Sequence, residues 1–230
     1  MSETSDLDAE GMPTLVDRTR VRDQPTTARG IRTRESLVAA ARRVFERDGY
    51  LDARLVDITA EAGCSVGTFY TYFDSKEEVF TAVIQATQDD MMHPGLPHVE
   101  DSPENTPQVV RASNRAYFEA YKRNARLMGL LEQVATIDPA FRELRLKRSR
   151  AFADRNARKI AVLQEQGYVD PTLDPSMAAL AVTSMISRMG YSVYVLGQPW
   201  EFEALVDTAT ALWLNALGIP RDGSRRDDAH

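Results

Sequence analysis

The sequence has few of the residues that form disulfides, metal centres and nucleophilic active sites. Its 230 residues include one cysteine and three histidines. One cysteine excludes a disulfide within the chain, which fits a reducing cytoplasm. His93 and His98 have no other histidine before His230 and no cysteine near them, so we predict exposed loop histidines and no metal site. The chain also lacks a glycine-rich phosphate loop and a nucleophile–base set, so we predict neither an enzyme nor a bound cofactor.

Long apolar runs are missing too. The longest apolar stretch, 177–196, is interrupted by Ser184, Arg188 and Gly190, which makes it a poor membrane span and a good buried interface helix. The first residues are polar and acidic and lack the apolar segment of a signal peptide. Hydrophobic residues make up 43% of the chain, an ordinary share for a folded globular protein. We therefore expect a cytoplasmic protein with no membrane partner.

The net charge of −6 conceals an uneven distribution of arginines. Between residues 18 and 54 there are ten arginines and five acidic residues. Affinity for DNA depends on the local surplus of positive charge rather than on the total. This part of the chain could therefore bind DNA, whereas the acidic total speaks against a protein that covers DNA without regard to sequence.

Apolar residues spaced three and four apart predict an all-α fold. Residues 33–49 carry such a stripe and end at Gly49, which suits a helix C-cap. Pro139 and Pro175 stand where later helices would begin. The predicted helices span residues 33–49, 55–62, 66–72, 76–91, 108–134 with a bend near Asn124, 138–166, 174–196 and 200–218.

Breaks between these helices predict two domains. We place an N-terminal helix-turn-helix head at 31–91 and a larger C-terminal helical domain at 108–220. Four prolines and a glycine between them predict a linker at 92–107. The tails at 1–30 and 221–230 are expected to be disordered. The first tail is rich in arginine in its second half, so it is either a basic arm for a minor groove or a solvated tail.

A helix-turn-helix is predicted by the residues between the second and third helices. Two short helices must cross steeply if one is to enter a groove of DNA, which requires a tight turn. Gly63 can adopt the positive φ that such a turn needs, and Ser65 is placed to cap the second helix. We therefore expect helix 66–72 to be the recognition helix, with its N-terminal residues nearest the bases.

Residue types in helix 66–72 suit DNA better than they suit a purely structural helix. The helix is poor in helix-favouring residues and rich in hydroxyl groups that can reach phosphate oxygens. Gly67 lets the backbone approach DNA or the preceding helix closely. We hypothesise that Val66 or Thr68 contacts base edges. The predicted DNA-contacting residues here are Ser65, Val66, Gly67, Thr68, Tyr70, Thr71 and Tyr72.

The run Ala-Gly-Cys-Ser-Val-Gly-Thr-Phe-Tyr-Thr-Tyr-Phe-Asp-Ser-Lys-Glu at 62–77 resembles the DNA-binding motif of the TetR family of bacterial transcriptional regulators. In that family the positions of Thr68, Tyr70, Tyr72 and Lys76 commonly touch DNA. The resemblance therefore implies that double-stranded DNA is the partner of this segment.

Cationic residues around the motif are further candidates. Ser75 and Glu78 predict a capping box, which places Lys76 at a helix N-terminus, where a phosphate is favoured. A threonine commonly stands at the position of Arg54 in the family; the arginine moves the cap to Asp52 or leaves it weak, and it adds a charge that could reach a phosphate. The other candidate cations, next to the head, are Arg32 and Arg34.

The resemblance also implies a homodimer, because the last two helices of TetR-like subunits form an intermolecular four-helix bundle. The predicted helices 174–196 and 200–218 carry apolar and small side chains that suit such an interface or the core of a single chain. The predicted interface residues are Met185, Met189, Val193, Leu212 and Trp213.

A ligand cavity among helices 108–134, 138–166 and 174–196 is implied in the same way, with ligand binding moving the heads apart and lowering DNA affinity. Pockets are mostly apolar with a few placed polar groups, although aromatic residues at helical spacing also form plain core. The candidates are Tyr117, Phe118, Tyr121, Met128, Phe152 and Tyr191. A hydrophobic compound, an acyl-CoA and a drug are all compatible.

The sequence thus predicts a ligand-responsive, sequence-specific DNA-binding transcriptional regulator. Repression from a palindromic operator, relieved by a small hydrophobic effector, is the default, and activation is an alternative. A different interpretation is a small-molecule-binding protein or enzyme whose helix-turn-helix head no longer acts on DNA.

Overall fold

The computed structural model describes residues 25–92 and 102–225. In these ranges the regular structure is entirely helical, so the all-α fold class is confirmed. The predicted basic arm before Pro25 and all three histidines lie outside the described residues. In chain order the helices are α1 (Ala28–Asp52), α2 (Leu55–Glu61), α3 (Val66–Tyr72), α4 (Lys76–Met92), a 3-10 helix (Pro103–Asn105), α5 (Thr106–Ile137), α6 (Pro139–Glu165), α7 (Pro175–Tyr194) and α8 (Phe202–Leu217).

Both predicted limits of the first helix are wrong. It begins at Ala28, inside the predicted tail, because the Thr27 hydroxyl accepts a hydrogen bond from the Gly30 N–H at 3.1 Å and caps it there. It also continues past Gly49, which has φ 81° and ψ 175° and forms a kink within the helix rather than its end. The chain therefore turns at Gly49 and adds a short helical segment up to Asp52.

The described residues form two compact units. The head unit comprises residues 25–89 and 126–145, and the C-terminal unit comprises 90–92, 102–125 and 146–225. Helices α4, α5 and α6 contribute residues to both, and α5 is a continuous helix through Asn124. This differs from the predicted division at the linker, because the end of α5 and the start of α6 belong to the head unit.

Aromatic rings form the centre of the head unit. Phe80 of α4 contacts three other rings, with centroid distances of 4.9 Å to Phe45, 4.7 Å to Tyr50 and 5.2 Å to Phe141. All four rings are buried, and aromatic pairs at such distances stabilise a core beyond their buried area. This cluster ties α1, α4 and the first turn of α6 into one support for α2 and α3.

In the C-terminal unit, α5 and α7 come very close together. A Cβ atom built on Gly190 would lie 3.0 Å from the Tyr121 ring, so only glycine permits this contact without a shift. The predicted tail at 221–230 also needs a correction, because residues 221–225 form a described turn in which Gly223 is buried. A Cβ on Gly223 would lie 2.0 Å from the Glu104 carbonyl oxygen. None of the described helices is both long and apolar enough to cross a membrane.

Candidate nucleic-acid interface

The turn between α2 and α3 has the geometry that the sequence predicts. Gly63 adopts φ 66°, the left-handed conformation that favours glycine. The Gly63 N–H donates to the Ala60 carbonyl at 3.1 Å, and the Cys64 N–H donates to the Thr59 carbonyl at 3.0 Å. The chain therefore leaves α2 through a closed turn and enters α3 two residues later.

Helix α3 coincides with the predicted recognition helix, 66–72. The Ser65 hydroxyl accepts a hydrogen bond from the Thr68 N–H at 3.1 Å, as an N-cap does. Phe69 and Phe73 are fully buried in the head core, as their spacing predicts. These two rings fix which face of α3 points away from the protein.

The outer face of α3 carries several of the predicted contact residues. Val66 is 39% exposed and Tyr70 is 48% exposed, while Gly67 and Thr71 are also exposed. The nearest heavy atom to a Cβ on Gly67 would be the Ser65 hydroxyl oxygen at 3.7 Å, so the space above Gly67 is open. We name this surface, formed by Ser65, Val66, Gly67, Tyr70 and Thr71, the α3 outer face.

The two remaining predicted residues of α3 lie further in. Tyr72 is half-buried and packs against the head core. Thr68 is half-buried, and its hydroxyl lies 3.0 Å from the Ser65 hydroxyl. Of the two tyrosines, Tyr70 is the more exposed.

Most arginines of the head are held in exposed ion pairs, so the local surplus of positive charge is smaller than their number suggests. On α1, Arg42 pairs with Glu46 at 3.0 Å and Arg47 with Asp48 at 2.7 Å. Arg43 reaches Glu61 of α2 at 2.6 Å. Each of these pairs cancels one positive charge near the interface.

Arg32 and Arg34 differ from those arginines. Arg32 is exposed and makes no ion pair within the described residues. The guanidinium of Arg34 lies 5.0 Å from the centroid of the Phe73 ring, and burial lowers its pKa, although Glu78 opposes the shift. Arg32 is therefore free to bind a phosphate, whereas Arg34 is half-buried against Phe73 at the C-terminal end of α3.

Arg54 is not the unpaired charge that the sequence suggests. It stands at the N-cap of α2 without a side-chain capping bond, so the predicted weak cap is confirmed. Its guanidinium instead binds both carboxylate oxygens of Asp57, at 2.7 and 2.9 Å. Exposed pairs of this kind contribute little to stability, so a DNA phosphate could compete with Asp57 for Arg54.

Lys76 has a different role from the predicted phosphate clamp. Its ammonium group donates to three backbone carbonyls beyond the Gly49 kink: Tyr50 at 2.9 Å, Ala53 at 3.1 Å and Leu51 at 3.2 Å. These bonds use all three N–H donors of a lysine. In this structure Lys76 therefore joins the start of α4 to the end of α1 and has no donor left for a phosphate.

The capping box before α4 forms in part. The Ser75 hydroxyl accepts from the Glu78 N–H at 3.2 Å, as predicted. The Glu78 carboxylate accepts from the Asp74 N–H at 2.5 Å. In a standard capping box that carboxylate would accept from the N–H of the capping residue itself.

Known proteins with similar sequences support the interpretation of this head as a DNA-binding domain. The family described as bacterial regulatory proteins, tetR family, matches residues 37–83. The HTH-type transcriptional regulator EthR of Mycolicibacterium smegmatis is 24% identical over 183 residues, which cover 79% of this chain and 84% of EthR. Residues 37–83 of this chain therefore carry a DNA-binding domain of the TetR family. The chain is thus a DNA-binding transcriptional regulator and not an enzyme.

Solved structures extend the similarity to the whole TetR-family fold. SmeT, the repressor of the Stenotrophomonas maltophilia multidrug efflux pump SmeDEF, matches with a TM-score of 0.65 at 22% identity, covering 85% of this chain and 92% of SmeT. A transcriptional regulator from Saccharomonospora viridis in complex with choline matches with a TM-score of 0.61 at 17% identity, covering 79% of this chain and 95% of that one. At these identities the likeness concerns the fold alone.

The structure brings together four of the six predicted ligand residues. In the C-terminal unit the Tyr117 ring contacts Phe118, Tyr121 and Phe152, with centroids 5.9, 5.8 and 6.0 Å away. Tyr194, which the sequence did not single out, stacks on Tyr121 at 6.3 Å. Phe118 and Tyr121 are buried, while Tyr117, Phe152 and Tyr194 are half-buried.

The other two predicted ligand residues lie elsewhere. The Tyr191 ring faces the guanidinium of Arg188 at 5.0 Å, and Met128 is buried in the head unit. A shallow cavity of about 250 Å³ opens in the C-terminal unit beside the start of α5 and the middle of α8. None of the predicted ligand residues lines it. Its walls are formed by Pro107, Gln108, Arg111, Asp207, Thr210, Ala211, Leu214 and Arg221.

Most predicted interface residues pack within their own chain. Met185, Met189 and Val193 are half-buried against a cluster around Phe118, and Trp213 is half-buried beside the same cluster. Leu212 is 44% exposed. A second stripe on α7 is more accessible, because Met177 is 66% exposed and Leu180 is 44% exposed. Ala181 and Ser184 continue that stripe at helical spacing.

Proposed function

We propose that this regulator is a repressor that binds a palindromic operator as a homodimer and leaves it when a small molecule binds. The α3 outer face carries the proposal. Buried Phe69 and Phe73 hold α3 in place while Gly67 and Tyr70 remain exposed. A helix presented in this way can enter a major groove, where its N-terminal residues reach base edges.

Roles within the interface follow from exposure. Val66 and Gly67 lie at the N-terminus of α3 and would face base edges, because their side chains and backbone are the least covered there. Tyr70 and Thr71 would reach phosphates through their hydroxyls. Arg32 is exposed and would supply a positive charge for a phosphate.

A homodimer is supported by exposed apolar side chains on the last two helices. Met177 and Leu180 on α7 and Leu212 on α8 are each more than two-fifths exposed. Exposed apolar surface of this kind marks association sites. A two-fold dimer would present two copies of α3 to half-sites one helical turn apart on DNA, which is the basis for proposing a palindrome.

Release of this regulator from DNA by a small molecule is supported by the names of proteins with similar structures, and not by a ligand site in this chain. SmeT is named as the repressor of an efflux pump, and the Saccharomonospora viridis regulator is in complex with choline. Such control requires the small molecule to bind one conformation of the protein more tightly than the other.

Site selection from a random DNA pool tests the proposal, with affinity then compared between the selected duplex and a scrambled one. We expect a palindromic consensus bound at least about 1,000-fold more tightly than scrambled DNA. Absence of enrichment, with only weak and salt-sensitive binding, would favour a head that no longer acts on a specific operator.

A glycine substitution links that binding to the α3 outer face. Gly67→Ala adds one methyl group at an open helical position, so the fold should be unchanged or slightly more stable. The methyl group would occupy the space through which α3 approaches DNA. We expect Gly67→Ala to weaken operator binding about tenfold or more, while Ala39→Gly, on the exposed side of α1, leaves the affinity unchanged.

A further inference from the structure

Gln88, near the end of α4, is the exception among the buried polar side chains. Most of these find a partner in their own helix; for example, Thr87 donates to the Val83 carbonyl at 2.9 Å and Asn124 donates to the Ala120 carbonyl at 2.8 Å. Gln88 is fully buried, yet neither its amide oxygen nor its amide nitrogen has a hydrogen-bond partner. The other buried polar residues, all with partners, are Thr59, Thr106, Asn114 and Thr210.

A second unpartnered amide lies one turn earlier. The amide nitrogen of Gln85 is buried and also lacks a partner. Residues three apart on a helix are neighbours on its surface, so both amides lie on the same side of α4. Within the described residues these are the two side chains with unpartnered buried polar atoms. Folded proteins avoid such atoms because desolvating them without a partner lowers stability.

We infer that Gln88, assisted by Gln85, binds the polar group of a small molecule, and that this group is neutral and both donates and accepts hydrogen bonds. An amide offers an acceptor oxygen and a donor nitrogen, so a hydroxyl or a primary carboxamide satisfies both. A ketone satisfies the nitrogen alone. The inference rests on the proposed function in one respect, that this small molecule is the effector.

A charge on the ligand is disfavoured because the two amides could not balance it. Neither amide carries a charge, and a buried ion without an opposite charge is costly. The nearest acidic residues in sequence are Asp89, which is exposed, and Asp90, which pairs with Arg123 at 3.1 Å.

The test uses the full chain and three six-carbon probes: hexan-1-ol, hexanamide and hexan-2-one. Ligands that bind the folded state raise the Tm in a concentration-dependent way. Wild type, Gln88→Met and Gln133→Met are compared; Gln133 is exposed on α5 and serves as the matched control.

We expect hexan-1-ol and hexanamide to raise the wild-type Tm, hexan-2-one to act more weakly, and Gln133→Met to match wild type. Gln88→Met should lose about tenfold in apparent affinity, the equivalent of one hydrogen bond.

Stability without any probe gives a second readout. Methionine has the shape of glutamine without its amide, so Gln88→Met should melt at the same temperature as wild type or higher. A lower Tm would mean that the amide has a partner inside the folded protein, such as an internal water, and would overturn the inference. Equal probe responses in wild type and Gln88→Met, or none in wild type to hexan-1-ol and hexanamide, would overturn it too.

Operator binding, measured in parallel without probes, separates this inference from the proposed function. Failure of wild type to bind a selected operator would count against the repressor proposal and leave the probe results standing. Normal operator binding, together with probe responses that Gln88→Met does not change, would count against the Gln88 site alone.

Discussion

Lys76 illustrates how far the role of one side chain depends on neighbours distant in sequence. Its position after a capping serine predicts an exposed cation for a phosphate. The kink at Gly49 instead places three carbonyls, 23 to 26 residues earlier in the chain, around its ammonium group. No spacing rule predicts that arrangement, because it depends on how α1 ends and where α4 begins.

Replacing Lys76 distinguishes the two roles. Lys76→Met removes three hydrogen bonds from a charged donor, and we expect the free energy of unfolding to fall by about 2–3 kcal/mol, as measured by urea denaturation. The slope of log affinity for DNA against log salt should stay as in wild type. A salt-dependence slope smaller by about one, the loss expected for one phosphate contact, with unchanged stability would contradict the structural role. Lys122→Met, at an exposed site on α5, controls for the loss of a charge.

Glu77, next to Lys76, gives a prediction for pH. Desolvation tends to raise the pKa of its carboxyl, but hydrogen bonds from its own N–H, from Ser75 and from the Tyr50 hydroxyl outweigh this and lower the pKa below its ordinary 4.5. A lowered pKa stabilises the fold above that value, and the stabilisation is lost as the pH falls through the folded-state pKa.

Glu77→Gln should therefore be less stable than wild type at pH 7, and the difference should shrink as the pH falls below the ordinary carboxyl pKa of 4.5. Urea denaturation across that range measures it. Glu165→Gln, an exposed exchange at the end of α6, should show no such trend. A difference that stayed constant with pH would mean that ionisation of Glu77 does not stabilise the fold.

At the scale of whole helices, the limits of a helix are predicted well where the residues that set them are close in sequence, and poorly where tertiary packing sets them. The limits of α3 match the sequence prediction because Gly63 and Ser65 act within a few residues. The start of α1 differs from the prediction because Thr27, its N-cap, lies among residues with no apolar period. Its end was misplaced because glycine allows both a C-cap and a kink, and packing of Tyr50 on Phe80 selects the kink here.

That kink should be sensitive to substitution. Gly49 has φ 81° and ψ 175°, a combination essentially confined to glycine. No heavy atom would obstruct a Cβ there, so any loss of stability reports backbone strain alone. We expect Gly49→Ala to lower the free energy of unfolding by about 1–3 kcal/mol in urea. A fully stable variant would show that the backbone relaxes without cost.

For the molecule as a whole, the sequence indicates the two-part organisation but not the division of residues between the parts. Residues 126–145 belong to the head unit, which a linker-based boundary cannot predict because the helices run through it. Among the predicted ligand residues, Tyr117 contacts three others whereas Met128 and Tyr191 lie elsewhere, since helical periodicity does not tell which partner a buried face meets. The unpartnered amide of Gln88 cannot be predicted from sequence, because the absence of a hydrogen-bond partner is visible only in three dimensions.

Assembly of two chains can be tested through the exposed stripe on α7. Leu180→Glu places a charge where we propose a second subunit packs, and should weaken dimerisation at least about 100-fold. Analytical ultracentrifugation measures the dissociation constant. Val162→Glu adds the same charge at an exposed position of α6 and should leave the dimer intact. Equal effects of the two substitutions would place the interface elsewhere.

The three carbonyl oxygens around Lys76 resemble the oxygens of a crown ether, which hold a primary ammonium by its three hydrogens. A guanidinium is flat and spreads its donors in a fork, so an arginine would keep the charge and still fail to reach all three oxygens. The position therefore selects its cation by shape. Lysine and arginine carry the same charge but are not equivalent at this position, because the three carbonyls at the end of α1 match the three N–H donors of an ammonium group.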